Sequence, residues 1–87
     1  MKITPKNLIH HELIGLPVKV VESTNPSLIG IKGNVIDETR NMITIEHDGK
    51  EKRVAKKNAS FVFTLPEAKV KVDGELLLFQ PEDRIRG

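Results

Sequence analysis

The 87-residue chain has no cysteine, tryptophan or tyrosine, and Phe61, Phe63 and Phe79 are its only aromatic residues. Without cysteine there can be no disulfide, no thiolate zinc site and no cysteine nucleophile, a composition that suits a reducing cytosol. With so few rings, an aromatic platform for stacking splayed bases is poorly supported. No apolar run approaches the roughly 20 residues of a membrane-spanning helix, and the N-terminus lacks the apolar stretch of a signal peptide. A soluble, cytoplasmic protein is expected.

Catalytic motifs are also missing. His11-Glu12 opens like the H-E-x-x-H zinc motif, but Gly15 stands where the second histidine belongs. His10 and His11 are adjacent, so on a helix they point in different directions, and no metal site or cofactor is expected in the protein. Asp37 and Glu38 alternate across a strand and cannot flank one scissile bond as paired carboxylates do. They read as salt-bridged surface acids. Gly30-Ile31-Lys32-Gly33 matches the short G-x-x-G clamp of KH domains, but that clamp joins two helices and this one falls in a strand. Neither a phosphate loop nor a G-x-S-x-G elbow is present. The chain is not expected to be an enzyme by itself.

What the sequence does contain is β structure. Between Ser27 and His47, Ile29, Ile31, Gly33 and Val35 recur at a period of two, Lys32, Asn34 and Glu38 take the other face, and Ile43 and Ile45 resume the pattern after Arg40-Asn41. This is a β-hairpin with one buried face. Glycines at 30 and 33 cost stability in such a strand unless the sheet bends sharply or another backbone comes close. Thr4-Pro5 can start a short helix that Gly15 ends. Leu16 to Glu22 reads as a first strand, and Ser23 to Pro26 as a turn. Asp48-Gly49 signals a two-residue type I′ turn, with Lys50 to Ala55 returning as a charged edge strand. Phe61 to Thr64, Val70 to Val72 and, after Asp73-Gly74, Leu76 to Phe79 complete the strands.

The expected fold is mainly β: a small, strongly bent antiparallel β-barrel of the Sm-like or SH3-like type, five to six strands, with a short N-terminal helix. One domain over 1–87 is expected, with the helix at 4–15, the barrel at 16–79 and a turn or tail at 80–87. A chain of this length buries about two-thirds of its unfolded surface, so deep cavities are not expected.

The formal net charge is only +2, but Lys50 to Lys57 holds five basic residues against one acid. A solvated edge strand and an RNA surface are both readings of such a run. On the second, Lys50, Lys52 and Lys56 lie on one side of the strand and Arg53 and Lys57 on the other. Lys32 extends the patch if its strand is a neighbour.

The ordered set T-P-K-N-L-x-x-H-E-L-I-G-L-x-V-x-V at Thr4 to Val20, G-I-x-G-x-V-I-D-E-T-R-N at Gly30 to Asn41, F-V-F at Phe61 to Phe63 and P-E-D-R-I at Pro81 to Ile85 resembles the archaeal Sm-like protein component of ribonuclease P, the component 1 or p29-type subunit family. The resemblance covers nearly the whole chain, with Gln80 where the family has an arginine and Ala55 where it usually has a proline. It implies a noncatalytic subunit of a ribonucleoprotein that removes the 5′ leader of precursor tRNA, the RNA subunit carrying the chemistry with magnesium. It also implies a zinc-ribbon protein partner, contacted through Leu8, Ile9 and Leu13 of the opening helix, Ile31 and Val35, and Pro81, Asp83 and Arg84. A free-standing Sm-like RNA-binding protein or chaperone, assembled as a ring, is the alternative.

Overall fold

A computed structural model describes residues 13–78. It contains six strands: β1 Pro17–Ser23, β2 Lys32–Glu38, β3 Met42–His47, β4 Lys50–Ala55, β5 Ala59–Thr64 and β6 Lys69–Asp73. All pair antiparallel in one sheet of order β4-β3-β2-β1-β5-β6. The mainly β expectation holds, but the sheet is not a closed barrel. Among the described residues β4 and β6 are its two edges, and no ladder joins them. The strand expected at Leu76 to Phe79 would have been the natural bridge. Instead, Gly74–Leu77 winds into a 3₁₀ turn, capped by the Asp73 carboxylate accepting from the Glu75 amide at 3.1 Å. Phe79, residues 4–12 of the expected helix and the 80–87 segment lie outside the described residues.

Turn chemistry sets the connections. Asp48 and Gly49 both have positive φ, 51° and 77°, as a type I′ hairpin between β3 and β4 demands. Between β1 and β2 the chain makes a 3₁₀ turn at Pro26–Leu28, where the Asn25 side chain accepts from the Ser27 amide at 3.2 Å. That turn delays β2 until Lys32, so Ile29, expected on the buried face, is exposed.

The core lies on one side of the sheet. Val18 and Val20 of β1, Val35 of β2, Ile43 and Ile45 of β3, Val54 of β4 and Phe61 and Phe63 of β5 alternate inward and are buried. Burying each of these side chains contributes roughly 1.5–3 kcal/mol. The Phe61 and Phe63 rings sit 6.3 Å apart at a 40° tilt. Both therefore face the core, away from solvent.

Glu38 departs from the expected pattern. Its alternation with Lys32 and Asn34 places it outward, yet the pairing jumps from Val35↔Ile45 to Asp37↔Thr44, leaving Ile36 as an extra residue. This bulge shifts the phase of β2, so that Glu38 pairs with Ile43 and turns into the interior. Asp37 stays on the outside and caps the Glu38 amide at 2.8 Å.

Inside, Glu38 meets Lys56. Lys50, Lys52, Val54 and Lys56 share one side of the β4 segment, and because Val54 is a core residue that side is the core side. The Lys56 side chain is fully buried, its ammonium 2.7 Å from Glu38 Oε2 and 2.5 Å from the Leu77 carbonyl oxygen, to both of which it donates. The pair connects the end of β2, the β4–β5 turn and the 3₁₀ turn after β6. Gly74 permits this close passage, since a Cβ there would overlap the Lys56 carbonyl oxygen and come within 2.8 Å of the Ala59 oxygen.

Two outcomes follow from these packings. A Cβ at Gly33 would overlap the Glu46 carbonyl oxygen on β3, a backbone atom that cannot swing aside. Gly33→Val is expected to cost about 3 kcal/mol, the upper part of the overpacking range, read as a lowered urea midpoint. An unchanged midpoint would mean that β2 and β3 do not approach there. Lys56→Met should cost about 3–5 kcal/mol by leaving the Glu38 carboxylate buried without its ammonium, and Lys56→Met with Glu38→Leu should recover much of that loss. A double variant no more stable than either single variant would contradict the coupling.

Candidate nucleic-acid interface

The structure divides the residues expected to contact RNA. Lys50, Lys52, Arg53 and Lys57 are exposed, whereas Lys56 is spent inside the fold and cannot reach a phosphate. Its two-residue spacing from Val54 puts it on the core side, but Lys52 has the same spacing and is exposed. Of the exposed four, Lys50 and Lys52 lie across from His47 and Ile45 on the core side of the open β4 edge. Arg53, across from Thr44, points to the outer side. The run is contiguous in sequence but is split between two faces in space.

Lys32 does not join it, because β3 lies between β2 and β4. Lys32 is paired instead with Lys19 of β1 on the outer face. Its backbone is held by the His47 ring, whose Nδ1 is 2.8 Å from the Lys32 carbonyl oxygen and donates to it in the Nδ1-protonated tautomer. Lys19 and Lys69, which sequence reasoning did not single out, line a shallow groove of about 490 Å³ together with Lys32, Asn34, Val62 and Thr64. Among the described residues no acid lines it. The only local signal for these lysines is outward alternation in short strands; that they come together depends on the pairing of β1 with β2 and β5.

Three of the residues assigned to a protein partner are core residues. Leu13, Ile31 and Val35 are buried beneath the sheet, so they support its surface and do not present one. Leu8, Ile9, Pro81, Asp83 and Arg84 lie outside the described residues. Among the described residues, no group of three or more histidine, aspartate and glutamate side chains is placed to hold a metal ion.

The family model described as "Ribonuclease P/MRP, subunit p29" matches residues 6–87. The chain is 54% identical over 85 residues to ribonuclease P protein component 1 of Methanocaldococcus jannaschii, covering 97% of this chain and 90% of that protein. It is 55% identical over 93 residues to the protein of the same name from Methanococcoides burtonii, covering 99% and 92%. The solved structure of Mth11, a homologue of human RNase P protein Rpp29, aligns with a TM-score of 0.62 at 47% identity, over 86% of this chain and 99% of that one. With a family match that spans almost all of the sequence and relatives that share about half of its residues along nearly their whole length, the chain belongs to the ribonuclease P/MRP subunit p29 family.

Proposed function

We propose that the chain is a noncatalytic protein subunit of the ribonuclease P ribonucleoprotein, binding its RNA and supporting removal of the 5′ leader from precursor tRNA. The observation that carries this reading is the family match over residues 6–87, with curated relatives named as a ribonuclease P protein component. The chemistry is assigned to the RNA subunit, with magnesium as its ion. The protein contributes by neutralising phosphates, which favours the folded RNA over its extended forms and lowers the magnesium needed to fold it.

A zinc-ribbon protein subunit is the proposed protein partner, and precursor tRNA is met through the complex. With Leu13, Ile31 and Val35 committed to the core, Leu8, Ile9, Pro81, Asp83 and Arg84 are the residues left to that contact. A ring of free-standing copies joined edge to edge fits the sheet poorly. The β4 edge carries Lys50, Glu51, Lys52 and Arg53, and β6 carries Lys69, Lys71 and Asp73, charges of the kind that oppose strand addition.

The test is cleavage of precursor tRNA in magnesium by the protein alone, by the RNA alone at limiting magnesium, and by both together. The protein alone should be inactive, and its addition should lower the magnesium concentration at which the RNA cleaves. Multiple turnover by protein stripped of RNA, or a magnesium requirement indifferent to the protein, would overturn the reading.

A further inference from the structure

We propose that the outer face of the sheet where β2, β1, β5 and β6 lie side by side is a seat for the sugar–phosphate backbone of RNA, with Lys19, Lys32 and Lys69 as its cations. This deepens, and rests on, the reading of the chain as a ribonuclease P subunit. The pairings Lys32↔Lys19, Lys19↔Val62 and Val62↔Lys71 place a row of outward residues straight across four strands. With strands about 4.8 Å apart, the row spans about 14 Å. Lys69, across from Thr64, sits one outward position along from Lys71.

Three features make this face a site for an anion. Lys19 and Lys32 are directly opposed like charges, a pairing that destabilises a sheet, and among the described residues no acid lines the groove to offset it. A bound phosphate supplies the missing counter-charge. The groove also has uncharged hydrogen-bonding groups, the Thr64 hydroxyl and the Asn34 amide, of the types that meet phosphate and sugar oxygens.

Its flanks are acidic. On one side Glu46 and Glu51 oppose each other across β3 and β4. On the other, Glu22, Asp73 and Glu75 line a neighbouring hollow, where Lys71 offsets only one of the three acids, through a 2.5 Å ion pair that holds the Glu22 carboxyl below the usual carboxylate range. A polyanion is therefore repelled from both margins and attracted between them. With Phe61 and Phe63 buried on the opposite face, the groove offers no ring for stacking among the described residues. Recognition there is of backbone and shape, tolerant of base sequence.

The experiment measures full-length protein binding to ribonuclease P RNA, and to an unrelated structured RNA of equal length, across a salt series. Each phosphate contact adds about 0.7 to 0.9 to the slope of log affinity against log salt, so Lys19→Gln/Lys32→Gln/Lys69→Gln should weaken binding and flatten the slope by about 2 to 3. Lys50→Gln/Lys52→Gln/Arg53→Gln removes the same charge from the β4 edge and should change the slope by less than about 1. A wild-type slope in the groove variant, or equal flattening in both variants, would overturn the proposal. So would loss of a protein partner by the groove variant with RNA binding intact. Amide shifts in the wild-type protein on titration with RNA give a reading independent of any variant's folding: Lys19, Lys32, Thr64 and Lys69 should move, and their silence would count against the groove. Binding of the unrelated RNA through the groove without binding of ribonuclease P RNA would keep the site and remove the proposed function. Binding of neither RNA by the wild-type protein would remove both.

Discussion

The ammonium of Lys56, buried between the Glu38 carboxylate and the Leu77 carbonyl, is the constraint around which the open end of the sheet is arranged. Strands β4 and β6 have no ladder between them, so the ends of the sheet must be joined in some other way. The lysine does this with a charge-assisted hydrogen bond to β2 and another to the turn that follows β6. Removing two charges from water costs several kcal/mol per ion, and a single contact in the interior does not offset that. The compensation requires several groups at once, which explains why a bulge turns Glu38 inward and why Gly74 lets a carbonyl-bearing turn approach so closely.

How far such a fold is legible from sequence depends on the range of the interaction concerned. Period-two alternation exposed β1, β3 and β5, and Asp48-Gly49 declared its hairpin, because both signals are confined to a few adjacent residues. The phase of Glu38 was not legible: a single extra residue at Ile36 reverses every later inward and outward assignment in β2, and no residue type marks the bulge. Lys56 was legible in part. It shares its side with Val54, but a lysine in a basic run reads as solvated unless an acid is known to wait opposite, and that acid lies 18 residues away beyond the bulge. The turn at Gly74–Leu77 was misread for the opposite reason, since three successive leucines satisfy a strand pattern while the Asp73 cap favours a turn.

The same distinction separates the two readings of where RNA binds. The basic run in β4 is dense along the chain, but alternation sends its members to different faces and one of them into the core. Lys19, Lys32 and Lys69 are scattered along the chain, each beside apolar neighbours, and register alone brings them to one groove. Attraction of a polyanion depends on separation in space, and at physiological salt it decays over about 8 Å. Lys19 and Lys32, on adjacent strands, lie well within that distance, and Lys69 follows on the same face beyond β5. Charges split between opposite faces of a sheet reinforce one another far less.

The charged edge then has a different role. Among the described residues β4 and β6 are the edges of the sheet, and a flat apolar edge there would invite pairing with another chain. Placing Lys50, Glu51, Lys52 and Arg53 on β4 opposes that pairing whether or not any of them meets a phosphate. The face is left to carry recognition. Its lysines stand on strands held in ladders, Lys19 and Lys32 on strands paired on both sides and Lys69 on β6 paired with β5, so holding them in register costs little further backbone entropy when a ligand arrives, in contrast to basic residues on a chain that must be ordered first. A rigid cationic face bordered by acids constrains where an RNA backbone can lie as well as attracting it. That control of placement is what the proposed noncatalytic subunit would give to its RNA.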